Sequence, residues 1–379
     1  MIKGCFKMPK TFVSLIAHKR LLDKRLRSQF FLILVVASLV TVSLTFVYSM
    51  SSGIANKYAL LGNGHLAVEG KVPVMEGIQA QEVLYCTALM YGQVETQTVA
   101  VKGIKEGYFT EERLKEITLK KEELASSLPS VMISQSLAKK LDLRLGDKTM
   151  LLIIHEGTFK PVLCVVGSLY DSGYKELDDS LVFFPYDQLR RFDFPMRTEL
   201  ILAGKDIEKV KTQLKEQGYN VSAWYDQNRD MYDNLMTSQN AVVGVFLVVA
   251  LLCAFFVSEF ASSLINDHRK EISTLKLLGA PDEKIIKGYL LSIVLVTMSA
   301  VVFGTALGLL LTKLFHPVLL FLQKQDISAL SYYLLTFDLV VPFRPLSLVL
   351  LFLFALSVLS TLISLRSVKK IPVLQQAQF

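Results

Sequence analysis

The chain has 379 residues, 52% of them apolar, and a formal net charge of +7. That apolar share exceeds what a soluble core of this length needs and points to a bilayer as part of the solvent. The positive charges cluster beside apolar runs, and no zinc-finger, RNP or basic-helix signature accompanies them, which argues against nucleic acid as a partner.

The first 28 residues read as a cytoplasmic amphipathic segment. Phe12, Val13, Leu15, Ile16 and Leu22 alternate there with Lys19 and Arg20, the pattern of a short helix on a membrane surface. Phe30–Met50 is then 21 residues without a charge. At 1.5 Å per residue it reaches about 31 Å, the thickness of the hydrocarbon core. A first span is placed at 29–50; it is longer than a signal-peptide h-region and no A-x-A site follows it.

Residues 51–236 read as one large α+β domain outside the membrane. Strand-like runs recur at His65–Val68, Val83–Val94, Thr98–Ile104, Met150–Ile154, Val162–Val166, Leu181–Phe184, Glu199–Leu202 and Val221–Trp224. Helical patterns fall at Gln135–Leu141, Tyr186–Arg191 and Asp206–Gln217. A strand-rich insert is expected around 105–175, where Gly146–Asp147 reads as a turn into a small sheet or barrel. Cys86 and Cys164 both fall in this domain and read as buried free thiols, with one disulfide as the alternative.

Three more apolar runs give spans at 237–263, 288–312 and 345–365, separated by a cytoplasmic loop at 264–287 and an external loop at 313–344, with a tail at 366–379. Lys and Arg set the orientation. The N-terminal segment holds eight, the 264–287 loop five and the tail three, against Lys313, Lys324 and Arg344 in the external loop. Both termini are therefore expected in the cytoplasm.

No catalytic constellation stands out. H-E-x-x-H and G-x-S-x-G are absent. Ser136-Leu-Ala-Lys139 matches S-x-x-K only formally, and His155–Glu156 and Asp178–Asp179 read as solvated turns. The P-loop G-x-x-x-x-G-K-[ST] is also absent, so this chain is expected to bind no cofactor, and any ATP that drives it is hydrolysed on a partner.

The 264–287 loop is the most informative segment. Leu264–Leu278 reads as helix leaving the membrane, with Ile272, Leu275 and Leu278 on one face and Arg269, Lys270 and Lys276 elsewhere. Gly279 fits a C′ position that needs positive φ. Ala280 follows, and Pro281 suits the first turn of a new short helix, with Asp282 and Glu283 at its positive end. Such an element suits docking into a partner's groove.

Asp267-His-Arg-Lys-Glu-Ile-Ser-Thr-Leu-Lys-Leu-Leu-Gly-Ala-Pro281 resembles the "K-x-R-E-I-x-x-L-R-x-L-G-A" loop of the FtsX-like permeases, the MacB-type ABC transporter permease family. Arg366-Ser-Val-Lys-Lys-Ile-Pro-Val-Leu is similar to that family's basic stretch and "P-x-x-x-L" end. Within the family the chain looks most like the lipoprotein-releasing (Lol-type) permeases. Ile16-Ala-His-Lys-Arg-Leu-Leu resembles "I-A-x-R-Y-L", Val101-Lys-Gly-Ile104 a "V-x-G-I" strand, and Ile133–Asp147 the "I-I-G-x-x-L-A-x-x-L-x-x-x-x-G-D" stretch. Tyr332–Val341 resembles the segment that enters the fourth span. The long Pro-containing hook of the carrier-recruiting Lol permease is replaced by His155–Pro161, which fits the hook-less partner permease or a system with one permease type.

The resemblance implies a helical membrane domain with an extracytoplasmic α+β domain of MacB periplasmic-core type. It implies an inner-membrane permease paired with a second permease chain, the same or different, and with an ABC ATPase dimer; lipoprotein is the cargo and a periplasmic carrier an optional partner. Arg269, Glu271, Leu275, Gly279, Ala280, Pro281, Asp282, Glu283 and Lys284 are then the ATPase-coupling residues. Phe46, Tyr48 and Met50 are candidates for a cargo cavity, being apolar and adaptable. MacB-like efflux and FtsX-like control of cell-wall hydrolases are the alternatives.

Overall fold

The structure, a computed structural model, describes residues 13, 23–73, 75, 77–121, 127–202, 206–323 and 337–370. The amphipathic segment at 11–22, apart from Val13, and the tail from 371 lie outside the described residues.

Helix α1 spans Lys24–Lys57 and passes into a π-helical turn, Tyr58–Asn63. Strands β1 (Leu66–Glu69), β2 (Ile78–Tyr91) and β3 (Thr96–Ile104) follow, then α2 (Glu111–Lys115), β4 (Thr118–Lys121) and β5 (Ser130–Ser134). Next come α3 (Gln135–Leu141), β6 (Lys148–His155), β7 (Thr158–Asp171), α4 (Lys175–Asp178), β8 (Leu181–Pro185), α5 (Tyr186–Arg190) and β9 (Met196–Leu202). The chain continues through α6 (Ile207–Glu216), β10 (Val221–Ala223) and α7 (Trp224–Gln227). Four helices close it: α8 (Arg229–Asp267), α9 (Arg269–Leu277), α10 (Asp282–Gln323) and α11 (Phe343–Leu365), the last followed by a 3₁₀ turn, Arg366–Lys370.

The chain forms two compact units. The first comprises residues 1–49, 237–317 and 339–379, and the second 50–236 and 318–338. Among the described residues, α1, α8, α10 and α11 are the helices long and apolar enough to cross a membrane. Their outward faces carry Phe31, Leu252, Phe255 and Phe303, which only an apolar surrounding or a partner accommodates.

Small residues set the packing of the first unit. Gly304 and Gly308, one turn apart on α10, press against α1. A Cβ on Gly304 would lie 2.6 Å from the Leu34 carbonyl oxygen, and one on Gly308 2.7 Å from the Thr41 Cβ. No side chain fits between these helices, the small-xxx-small mode of close approach. Serines join α11 to α8: Ser360 donates to the Ala254 carbonyl at 2.5 Å and Ser364 to the Ser258 carbonyl at 3.1 Å. Helix α10 runs eleven residues beyond Thr312, into the stretch expected as loop, and continues through Pro317; apolar residues predominate there, with Lys313 and His316 among them.

In the second unit one sheet of ten strands has the order β10-β1-β9-β2-β3-β8-β5-β7-β4, with β6 bridging β2 and β7. The pairings β2–β3, β3–β8, β8–β5, β5–β7, β7–β6 and β6–β2 close a six-stranded barrel. Its interior holds Ala88, Met90, Val99, Val101, Val131, Ile133, Leu151, Ile153, Val166 and Val182. The barrel is therefore not confined to 105–175: it borrows the flanking strands β2, β3 and β8. Strand β2 is shared, passing on into the β10-β1-β9 sheet.

Cys86 and Cys164 are free thiols, both pushed up to about 12 by burial. Asp178 is not solvated as expected. It is buried, its carboxylate accepts the Ser172 N–H at 3.2 Å, and burial raises its pKa to about 7.

The end of α1 is capped by cations. Carbonyls of the π-helical turn accept hydrogen bonds: Leu60 from Arg113 Nε at 2.7 Å, Leu61 from Lys102 Nζ at 2.8 Å and Gly62 from the same Nζ at 2.6 Å. Glu199 lies between the two cations, 2.5 Å from Lys102 and 2.8 Å from Arg113. Tyr85 and Tyr108 donate to the same carboxylate. Lys102 and Glu199 are 0% exposed and Arg113 1%.

Burial, against the pull of Glu199, lowers the Lys102 pKa to about 7. Below that value Lys102 is the ammonium that its three acceptors require; between it and the ordinary lysine value of about 10.4 the unfolded chain holds a proton that the folded chain has shed, so stability rises with pH through this window. The chain has one tryptophan, Trp224, and it is buried in the second unit. Urea unfolding of the full chain in detergent, followed by Trp224 fluorescence, should show a midpoint that climbs from about pH 7 to about pH 9, with the climb reduced in Lys102→Met. A wild-type midpoint that is flat or falls contradicts the assignment.

Candidate functional site

The site is the turn between α9 and α10. Helix α8 ends at Asp267, His268 breaks the helix with φ −106° and ψ 18°, and α9 begins at Arg269. The short helix thus precedes the turn. The expectation of a short helix after Pro281 is not met, because α10 runs unbroken from Asp282: the apolar residues Ile285, Ile286, Tyr289 and Leu290 follow at helical spacing and nothing stops it.

The turn is a Schellman motif. The Ala280 N–H donates to the Leu275 carbonyl and the Gly279 N–H to the Lys276 carbonyl, both at 3.0 Å. Gly279 has φ +87°, and a Cβ there would meet nothing within 4 Å, so glycine serves backbone conformation rather than space. The Pro281 carbonyl accepts from Lys284 at 3.0 Å and Ile285 at 3.3 Å, which makes Pro281 the residue just before the first helical turn.

Two sets of polar contacts brace the loop. On one side His268 Nε2 lies 2.7 Å from Asp23 and Arg25 Nε 3.0 Å from Asp267, tying it to the start of α1. On the other, Lys276 Nζ donates to the Val368 carbonyl at 2.9 Å and pairs with Asp282 at 3.0 Å. The Arg25–Asp267 pair is half-exposed and worth about 0–1 kcal/mol; the Lys276 contacts, on a side chain 7% exposed, hold the turn more firmly.

The expected coupling residues separate into two groups. Arg269, Gly279, Pro281 and Glu283 are exposed, while Glu271, Leu275, Asp282 and Lys284 are half-buried and Ala280 is buried. Leu275 packs against the core of the helical unit, beside Ile272 and Ile285. Leu277 and Leu278 occupy the tip, 51% and 73% exposed. Leu278, expected on one face with Ile272 and Leu275, instead points out at the tip; it, Leu277 and Lys276 were not among the expected coupling residues. The signal was available: two leucines just before a C′ glycine cannot both face the core.

Phe46, Tyr48 and Met50 do not line one surface. Positions two apart on a helix differ by about 200°, so Phe46 and Met50 share a face and Tyr48 points away. Tyr48 packs against Val40, Leu44, Leu346 and Val349. The S-x-x-K match is no dyad: Ser136 bonds to Asp179 and Lys139 is exposed.

Among the described residues, the structure thus combines four helices of membrane length with a braced turn between α9 and α10. Residues 243–373 match the family model described as FtsX-like permease C-terminal, and this part of the chain is such a domain. Comparison with curated proteins gives no match. Among solved structures, the extracellular domain of the noncanonic ABC-type transporter YknZ from Gram-positive bacteria is similar at 16% identity, over 39% of this chain and 82% of that one, with a TM-score of 0.26. A domain of a protein described as a permease, from Porphyromonas gingivalis, is similar at 14% identity over 42% and 90%, with a TM-score of 0.28. At such scores neither likeness carries an argument.

Replacing Gly279 by Ala forces a Cβ into left-handed conformation at a cost of about 1–2 kcal/mol. Hydrogen exchange of the full chain in detergent should show the amides of residues 279 and 280 opening about tenfold faster in Gly279→Ala, with β2 and β3 unchanged. Equal protection at the turn would rule out the strained cap.

Proposed function

We propose that this chain is the permease subunit of an ABC transporter that releases lipoproteins from the inner membrane towards the outer membrane, driven by a separate ATPase. The exposed Leu277–Leu278 tip carries the reading. It is apolar, lies on a helix end braced from both sides, and is flanked by exposed Arg269, Lys270 and Glu283. That combination suits insertion into a groove of a partner, with charges at the rim to fix register. The excess of Lys and Arg in the N-terminal segment, the 264–287 loop and the tail supports a cytoplasmic tip and cytoplasmic termini. An ATPase dimer then docks on two copies of the turn, one from each permease chain of a homo- or heterodimer.

The cargo assignment rests on the Lol-like stretches at 101–104 and 133–147. A second observation refines it. Only Glu156 and Gly157, both at positive φ, join β6 to β7, so the hairpin carries no hook for a periplasmic carrier. The chain therefore suits the permease position that does not recruit the carrier. Phe46 and Met50, on one face of α1, are the cargo-contact candidates that remain.

Depletion of the chain followed by separation of inner and outer membranes should leave lipoproteins accumulated in the inner membrane. An unchanged distribution, with altered susceptibility to exported compounds instead, would replace this reading by efflux.

A further inference from the structure

We propose that Lys102, Arg113 and Glu199 form the joint through which movement of the first span reaches the sheet of the second unit; the inference rests on reading the chain as an ATP-driven permease. They are positioning residues within the second unit. Helix α1 carries the first apolar run and ends, through its π-helical turn, inside the second unit. The last carbonyls of a helix need donors from elsewhere. Here three consecutive carbonyls, of Leu60, Leu61 and Gly62, receive them from β3 and α2, while the Tyr85 hydroxyl of β2, whose one proton goes to Glu199, lies 2.7 Å from the Gly62 oxygen.

Glu199 on β9 then binds both cations, so the helix end is bound at once to β2, β3 and β9. That is where the barrel and the smaller sheet share a strand. An outer contact repeats the arrangement: Lys57 lies 2.8 Å from the Glu116 carboxylate and 2.5 Å from its carbonyl oxygen, and Asn56 donates to the same carboxylate at 2.9 Å.

Two physical arguments favour transmission over mere stability. Buried ions lose hydration, and an apolar filling of equal volume is often no less stable, so stability alone does not account for the cluster. Lys102, Arg113 and Glu199 are shielded from solvent, and a hydrogen-bonded network in so buried a place is stiff. A tug on α1 is then delivered to three strands rather than dissipated at a frayed helix end.

The test uses the full chain with the ATPase that co-purifies with it, in proteoliposomes carrying a fluorescent triacylated lipoprotein. ATP hydrolysis and lipoprotein extraction are read in one sample, and ATP-dependent hydrogen exchange at 96–104 and 196–202 in a second. Lys102→Met should keep ATP hydrolysis within about twofold of wild type, lower extraction per ATP about tenfold, and abolish the ATP-dependent change in exchange, while Lys102→Arg restores much of both. If Lys102→Met does not fold, Lys57→Met in the neighbouring Lys57–Glu116 pair should lower the same ratio about threefold. Folded variants with wild-type extraction per ATP and a wild-type exchange response overturn the joint, as does a wild type whose strands show no ATP-dependent change. A wild type with that change, lost in Lys102→Met, but with no lipoprotein extraction supports the joint and overturns the cargo reading instead.

Discussion

The carbonyls at the C-terminus of a long helix must find donors, and two answers to that requirement organise this chain. At the tip of the loop, α9 is closed by its own backbone: Gly279 turns left-handed, and two following N–H groups satisfy Leu275 and Lys276. At the other end of the bundle's first helix, the closure comes from side chains far along the sequence, Lys102 and Arg113, with Glu199 balancing their charge. The first answer leaves Leu277 and Leu278 exposed. The second leaves nothing exposed. On the proposed reading, the first end meets a partner and the second holds fast.

Between the two ends lies a path of close contacts. Helix α10 begins directly after the turn and presses Gly304 and Gly308 on α1 with no side chain between. Helix α1 continues to the capped π-helical turn. Packing at backbone distance transmits displacement better than packing through flexible side chains, since interiors of this density deform little. On the proposed reading, a shift of the turn moves α10, then α1, then the strands bound to its end.

The four long apolar helices were legible because length and lack of charge decide them without tertiary information. The turn after α9 was legible too, since Gly279 and Pro281 are local punctuation. What local pattern decided wrongly was the side of the turn on which the short helix lies, as His268 carries no breaker signal. Strand ends were lost where tertiary context overrides alternation. Strand β2 begins at Ile78 through Gln79, Gln81 and Glu82, and β7 runs through Pro161, which is tolerated because that half of β7 pairs only with β6. Strand β4 has four exposed residues and no pattern at all. The Lys102–Arg113–Glu199 cluster left only a faint trace, a lysine inside the apolar run Val101–Ile104. Its partners come from other elements, and no periodicity in one segment announces a pair made across a sheet. Phe46, Tyr48 and Met50 are neighbours in sequence that the helical period divides, with Tyr48 set apart against Val40 and Leu44.

The account turns on the exposed leucine tip as the seat of a separate ATPase. The most direct measurement is capture of the tagged full chain from solubilised membranes, with every subunit identified and counted, for wild type and for Leu277→Glu with Leu278→Glu. The account predicts an ATPase subunit captured in equal number with permease chains in wild type and lost from the variant, whose helices and Trp224 fluorescence stay native. Capture of the ATPase by both chains alike, or by neither, would contradict it.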